Sequence, residues 1–330
     1  MEYTKEEIDV IKEKIEPYKN FYLTNNKKPF LHLFITILGI FISIFLIKKS
    51  PYFIPLLSLF VARTFMIFHD CCHNSFFKVS ESQHNNGETG WNNFVAKIIE
   101  TICGYDCNTW SKIHSYHHKI HGNANFVDET KTVINIDEYE QFPYYKKLAY
   151  RVFRSPIIFF SVIPIYVFYL KHLIKPLFTI KVLAFYFLVY IFGNFKLVKR
   201  VLLAHYIAGI IAIILFHLQH QVNTGYYKKY DETDTFTHDK AQLHGASMLQ
   251  IPWFLKWATF GIEYHHIHHL TPRIPSYNLQ RCHEDNEHLF NKITKVGYLQ
   301  AFKSLFHTLY DEKREKYISF PIHAYLGLQH

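Results

Sequence analysis

Five cysteines, an odd number with no Cys-x-x-Cys pair, leave no disulfide framework in this chain, and its thiols are read as reduced. The His-Glu-x-x-His frame of zinc proteases is also missing, because Asp70 follows His69 and the spacing closes at His73 without a glutamate. There is no Gly-x-Gly-x-x-Gly dinucleotide loop, no iron–sulfur cysteine cluster, no internal repeat and no low-complexity tract. The net charge of +9 comes without a nucleic-acid motif. Its Lys and Arg are scattered around apolar runs, which suits anionic headgroups or an acidic protein partner better than nucleic acid. The first 28 residues are charged from the start and have no apolar core with a small-residue cleavage site. They read as a cytoplasmic amphipathic helix, not a secretory signal.

Apolar residues make up 49% of the 330 positions, 31 of them Phe and 24 Tyr counted among the aromatics, yet mean hydropathy is near zero at -0.04. Strongly apolar blocks must therefore alternate with polar ones. Phe30–Ile47 and Tyr52–Phe68 flank a Ser50-Pro51 turn and approach the ~17–25 residues that cross a bilayer, so they predict a helical hairpin. Pro156–Leu170, Leu177–Phe192 and Val201–Phe216 are further apolar runs.

Twelve of the 23 histidines fall in four clusters: His69/His73, His114/His117/His118/His121, His217/His220 and His265/His266/His268/His269. On a helix, residues three and four apart share a face, and a neutral imidazole is a preferred ligand for zinc, iron, copper or nickel. A lone His-x-x-x-His pair is coincidence more often than a site. Two copies of His-x-x-His-His plus such a pair point to metal. One zinc ion takes three or four protein ligands, too few for eight or nine histidines. Two metals held mainly by imidazole at a membrane surface point instead to a dinuclear iron centre that activates oxygen.

One centre requires all four clusters on one face of the membrane, hence an even number of crossings between the second and third. Three apolar runs lie there. Pro156–Leu170 is the shortest, carries prolines at 156 and 164, and has Arg151, Arg154 and Lys171 at its flanks, so it is assigned to the interface. That places Lys196, Lys199 and Arg200 on the far face, against the positive-inside tendency. The expected fold is an all-α integral membrane protein of about four transmembrane helices in two hairpins, with an interfacial helix and a cytoplasmic helical cap. Its parts are an N-terminal helix (1–29), a first hairpin (30–68), a histidine-box segment (69–155), an interfacial helix and second hairpin (156–216), and a histidine-box cap (217–330).

The residues that carry these patterns resemble the membrane fatty acid desaturases from about Phe30 to near Phe320. The most specific passages are His69-Asp70-Cys71-Cys72-His73-Asn74-Ser75-Phe76-Phe77, Tyr105-Asp106-Cys107 leading to His114-Ser115-Tyr116-His117-His118, His217-Leu218-Gln219-His220-Gln221, and Tyr264-His265-His266-Ile267-His268-His269 running on to Leu279. The last is similar to bacterial-type omega-6, delta-12-like acyl-lipid desaturases. The resemblance implies that His69, His73, His114, His117, His118, His265, His268 and His269 hold two irons, with His220 as a further ligand and His217, one helical turn before it, as a candidate. His121 and His266 are extra to the frames and read as supporting or surface residues. Asp70, Asp106 and Glu263 are placed to accept the second N–H of a metal-bound imidazole, or to be ordinary caps or surface carboxylates.

Further, the resemblance implies a cis double bond made in a long acyl lipid or thioester, with O₂ as co-substrate and two electrons from outside. The His-Pro-Gly-Gly signature of a fused cytochrome b5 module is absent. The donor is therefore a separate ferredoxin or cytochrome b5, and the membrane a bacterial inner membrane or the endoplasmic reticulum with the boxes facing the cytoplasm. A same-superfamily hydroxylase would share every box, and a metal transporter would place ligands mid-span. Phe185–Phe195 and Trp253–Phe260 are read chiefly as membrane packing, with a tunnel lining as the alternative. His32 and His205 are expected as neutral, hydrogen-bonded imidazoles and Arg63 as structural. The remaining histidines, at 84, 172, 238, 244, 283, 288, 307, 323 and 330, are expected to be solvated.

Overall fold

The computed structural model describes residues 2–80, 82, 89–128, 133–171 and 173–321. His84, His172, His323 and His330 lie outside them. Thr4 opens the first helix, α1 (Lys5–Ile15), with a capping box: its hydroxyl accepts the Glu7 N–H while the Glu7 carboxylate accepts the Thr4 N–H. Ile8, Ile11 and Ile15 share one buried core with Leu243, Ile267 and Phe290. The N-terminal segment thus packs onto the C-terminal part of the chain.

Helices α2 (Lys27–Lys49) and α3 (Ile54–Cys72) meet at the expected Ser50-Pro51 turn, and each is long and apolar enough to cross a bilayer. Phe34, Phe41 and Phe45 on α2 are exposed, a disposition that water would penalise and lipid would not. Helix α4 (Gly90–Cys103) packs along α3, and α5 (Cys107–Ile120) follows it. Helix α6 (Tyr144–Arg154) then bends by 75° into an apolar segment that begins as α7 (Pro156–Ile165) and ends in a π turn over Tyr166–Leu170.

Helix α8 (Pro176–His220) is one helical stretch of 45 residues broken at Asn194, which has φ 71°. A residue pair 19 apart would sit about 28 Å apart on a straight helix. Yet the Tyr186 hydroxyl and His205 Nδ1 are 3.1 Å apart, so the two halves fold back on each other as a second hairpin. Its tip lies against the tip of the first, since Lys48 Nζ donates to the Phe192 carbonyl at 2.6 Å and the Arg200 guanidinium donates to the Ile47 carbonyl. The Pro156–Leu170 stretch behaves differently. Before it, Arg154 donates to the His307 carbonyl at 3.1 Å; after it, Lys175 pairs with Asp106 at 3.0 Å. Both its ends touch the part of the molecule that carries the histidines.

Helices α9 (Thr235–His244), α10 (His265–Leu270) and α11 (Ser276–Asp285) build the cap. The chain is mostly helical, but the all-α expectation needs one correction: two small sheets stitch the cap together. Ile134–Asn135 pairs in parallel with Leu309–Asp311, which pairs antiparallel with Lys316–Ile318, and Met248–Leu249 pairs in parallel with Lys295–Val296. Strands of two or three residues are too short to show a period-2 pattern in sequence.

Candidate metal centre

The first histidine box sits where α3 ends. His73 closes the helix, Asn74 turns the chain with φ 58°, and the Ser75 N–H and hydroxyl both return to the Asp70 carbonyl. The Asp70 carboxylate is buried and lies 3.1 Å from His69 Nδ1. It therefore holds the imidazole with Nε2 turned to its partners.

Helix α5 begins at Asp106, whose side chain accepts the Thr109 N–H at 2.9 Å. Three and four residue spacing then buries His114, His117 and His118 together on one face. His114 stacks on Trp110 at 4.2 Å, and His117 Nδ1 is 2.8 Å from Asp128 Oδ2. The third box lies on the short helix α10, entered through a turn in which Phe260 and Gly261 both have positive φ. A Cβ at Gly261 would collide with the Ser276 carbonyl, so only glycine lets the chain pass there. His265, His268 and His269 are buried, and the Gln242 side-chain carbonyl is 2.8 Å from His269 Nδ1.

The boxes converge. His69 Nε2 is 3.2 Å from His114 Nε2, which is 3.1 Å from His118 Nε2, which is 3.1 Å from His268 Nε2. His220 Nε2 is 3.0 Å from His265 Nε2. Ligand nitrogens of His69, His73, His114 and His268 all lie within 4.8 Å of one another; so do those of His220, His265 and His269, and those of His117, His121 and His269. Adding His118 to the first group, ten imidazoles form two adjoining sets. Metal–imidazole bonds of about 2.0–2.1 Å at right angles would separate neighbouring nitrogens by about 3 Å, which is the spacing found. His73 Nε2 and His269 Nε2 are buried without a hydrogen-bond partner, as ligand atoms should be before a metal satisfies them. Burial first, and neighbouring imidazoles second, hold His114, His118, His265, His268 and His269 well below the usual imidazole range, so they are neutral donors at pH 7.

Sequence expectation and structure part at several places. His121 is fully buried among ligand-competent histidines, and a Cβ at Gly245 would collide with its ring. His217 instead donates from Nε2 to the Ser304 carbonyl at 2.7 Å. Asp106 serves as a helix cap and ion-pair partner of Lys175, while Glu263 accepts the Thr259 hydroxyl at 2.7 Å. Neither carboxylate meets an imidazole among the described contacts. That work falls to Asp128 and Gln242, which spacing alone does not reveal. His266 is buried and faces His283 Nδ1 at 3.2 Å, so His283 is a core residue and not a solvated one. His288 is exposed as expected. His32 contacts Arg63 at 3.2 Å, and His205 has its Tyr186 partner.

An apolar cavity of about 280 Å³ reaches this cluster, with Phe65, Trp110, Phe159, Phe168 and Phe216 in its wall beside His69, His114 and His265. A second, of about 170 Å³, runs deeper between α3 and the two halves of α8, past Val61, Gly209 and the Tyr186–His205 pair. Phe65, Phe168 and Ala212 border both. The Trp253–Phe260 stretch lines neither, and Phe185–Phe195 contributes only Tyr186.

The family model described as fatty acid desaturase matches residues 50–300. A Bacillus subtilis protein called fatty acid desaturase is 31% identical over 280 residues, covering 79% of this chain and 74% of its own length. An sn-1 oleoyl-lipid 12-desaturase of Picosynechococcus is 24% identical, with 92% and 90% covered, and a chloroplastic omega-6 fatty acid desaturase of Arabidopsis thaliana is 25% identical, with 92% and 69% covered.

Proposed function

The chain belongs to the fatty acid desaturase family, a family of oxidoreductases, and from that premise we propose that it is a multi-pass membrane enzyme that places a cis double bond in a long acyl lipid. The observation that carries the reading is the apolar cavity whose wall includes His69, His114 and His265. An acyl chain seated there lies against the imidazoles and away from water. Relatives named for omega-6 and 12-position chemistry favour the delta-12 type.

The ligand set comprises His69, His73, His114, His118 and His268 on one side and His117, His121, His220, His265 and His269 on the other. When bound, two irons supply with O₂ the oxidising power that side-chain acids and bases lack for an unactivated C–H bond. The protein's own part is positional. Asp70, Asp128, Gln242 and the Gly245 carbonyl engage the Nδ1 atoms of His69, His117, His269 and His220, leaving each Nε2 for metal. Phe65 and Phe168 border both cavities, where their rings set how far an acyl chain extends past the histidines.

Loss of two hydrogens from adjacent methylenes and reduction of O₂ to two waters requires two electrons and two protons from outside. A separate acidic donor, ferredoxin or cytochrome b5, fits the basic balance of the chain. In topology, four crossings in two hairpins leave all four histidine clusters on the cytoplasmic side, with Pro156–Leu170 re-entering from that side. The contacts of Arg154 and Lys175 support this arrangement.

The test is the fatty-acid profile, with double-bond location by mass spectrometry, of a host lacking polyunsaturated lipids that expresses this chain or its His117→Ala/His268→Ala variant. A position-defined double bond that disappears in the variant is expected. A hydroxylated product, or no lipid change with iron and donor supplied, would overturn the reading.

A further inference from the structure

Cys72 is the last residue of α3 and Cys107 the first of α5, and their Sγ atoms are 3.5 Å apart. Both are free thiols. These two helices carry the first and second histidine boxes, and the Ser111 hydroxyl donates to the Cys72 carbonyl at the same junction. We propose that Cys72 and Cys107 form a peroxide-responsive dithiol that closes reversibly into a disulfide, tying the helix of His69 and His73 to the helix of His114, His117 and His118.

A disulfide needs an S–S separation of about 2.05 Å, so the sulfurs have only about 1.5 Å to travel, a distance side-chain rotation supplies. Cys107 is the better starting nucleophile. It occupies the first turn of a 14-residue helix, where the aligned peptide dipoles favour a thiolate, and the Cys72 thiol is placed to donate to it. The Cys107 thiolate attacks hydrogen peroxide, forming an S–O bond and breaking O–O to give a sulfenic acid and hydroxide. Cys72 sulfur then attacks the sulfenic sulfur and hydroxide leaves. The protons of the two thiols convert both hydroxides to water, so two thiols and one peroxide give one disulfide and two waters. The thiol pool of a reducing compartment reverses it.

Cys71 and Cys103 are buried close by, and Cys282 sits on α11 in a separate core. Among the described hydrogen bonds Cys72 and Cys107 are the one pair with sulfurs in contact, so the geometry favours that pairing.

The test uses the full chain in detergent micelles, given a pulse of hydrogen peroxide, blocked with a thiol alkylator and mapped by peptide mass spectrometry. A Cys72–Cys107 linked peptide should appear with peroxide, vanish with dithiothreitol, and be missing from a Cys107→Ser variant whose melting curve shows it folded. Recovery of both cysteines as free thiols, as sulfinic acids or in other pairings would overturn the proposal. Because the peroxide is added and the readout is covalent, this outcome is independent of whether the chain desaturates lipids.

Discussion

Asp70 and Ser276, 206 residues apart, are joined twice: the carboxylate accepts the Ser276 N–H at 2.6 Å and its hydroxyl at 2.7 Å. The same carboxylate steadies His69, so one buried group fixes the first box against the start of α11, just after the third. Asp70→Asn keeps the shape but turns an acceptor into a donor facing the Ser276 N–H. Loss of a charged hydrogen bond of this kind costs about 1.5–3 kcal/mol, and loss of a supporting contact to a metal-bound imidazole about 10–100-fold in metal affinity. A lower melting temperature in micelles together with a lower iron content is expected; an unchanged iron content would show that Asp70 does not position His69.

Such long-range partners explain which parts of the site were legible. Spacings of three and four residues are local, so the boxes could be read directly, and the hairpins followed from runs of apolar residues. Asp128 and Gln242 meet His117 and His269 only after the chain has folded, and nothing in their own surroundings marks them. His121 falls outside the His-x-x-His-His frame by sequence but lies inside the cluster because α5 ends beside α8 and Gly245 leaves room for its ring. His217, at the right spacing from His220, is drawn away by the Ser304 carbonyl.

His121→Ala should therefore weaken the second set without unfolding the protein. Iron per chain, measured after gel filtration, should fall from two towards one, while the same change at exposed His288 leaves it untouched.

Ala212 borders both cavities. Replacing it with Phe should block the passage between them and reduce conversion of long acyl chains at least about tenfold, since a misplaced reacting carbon loses the advantage of orientation. Iron content should stay at the wild-type level. Unaltered conversion would exclude the inner cavity as the seat of the chain's far end.

His283 is packed against His266 and Phe290, and burial lowers its pKa to about 4. Unfolded, it titrates near 6.5. Between these values the unfolded chain binds the extra proton, so stability falls as pH drops from about 6.5 to 4, by at most about 1.4 kcal/mol per pH unit from this group. His283→Gln removes that contribution. Its melting temperature should change less than that of the wild type across the window; parallel curves would show that His283 does not titrate with folding.

The most direct measurement is iron per chain by elemental analysis on the purified, iron-supplied protein and two variants, His114→Ala from the first set and His265→Ala from the second. Two irons in the wild type, about one in each variant and none in the double variant are predicted. A single iron in the wild type, a stoichiometry that neither substitution lowers, or zinc in place of iron would contradict a centre built from two histidine sets.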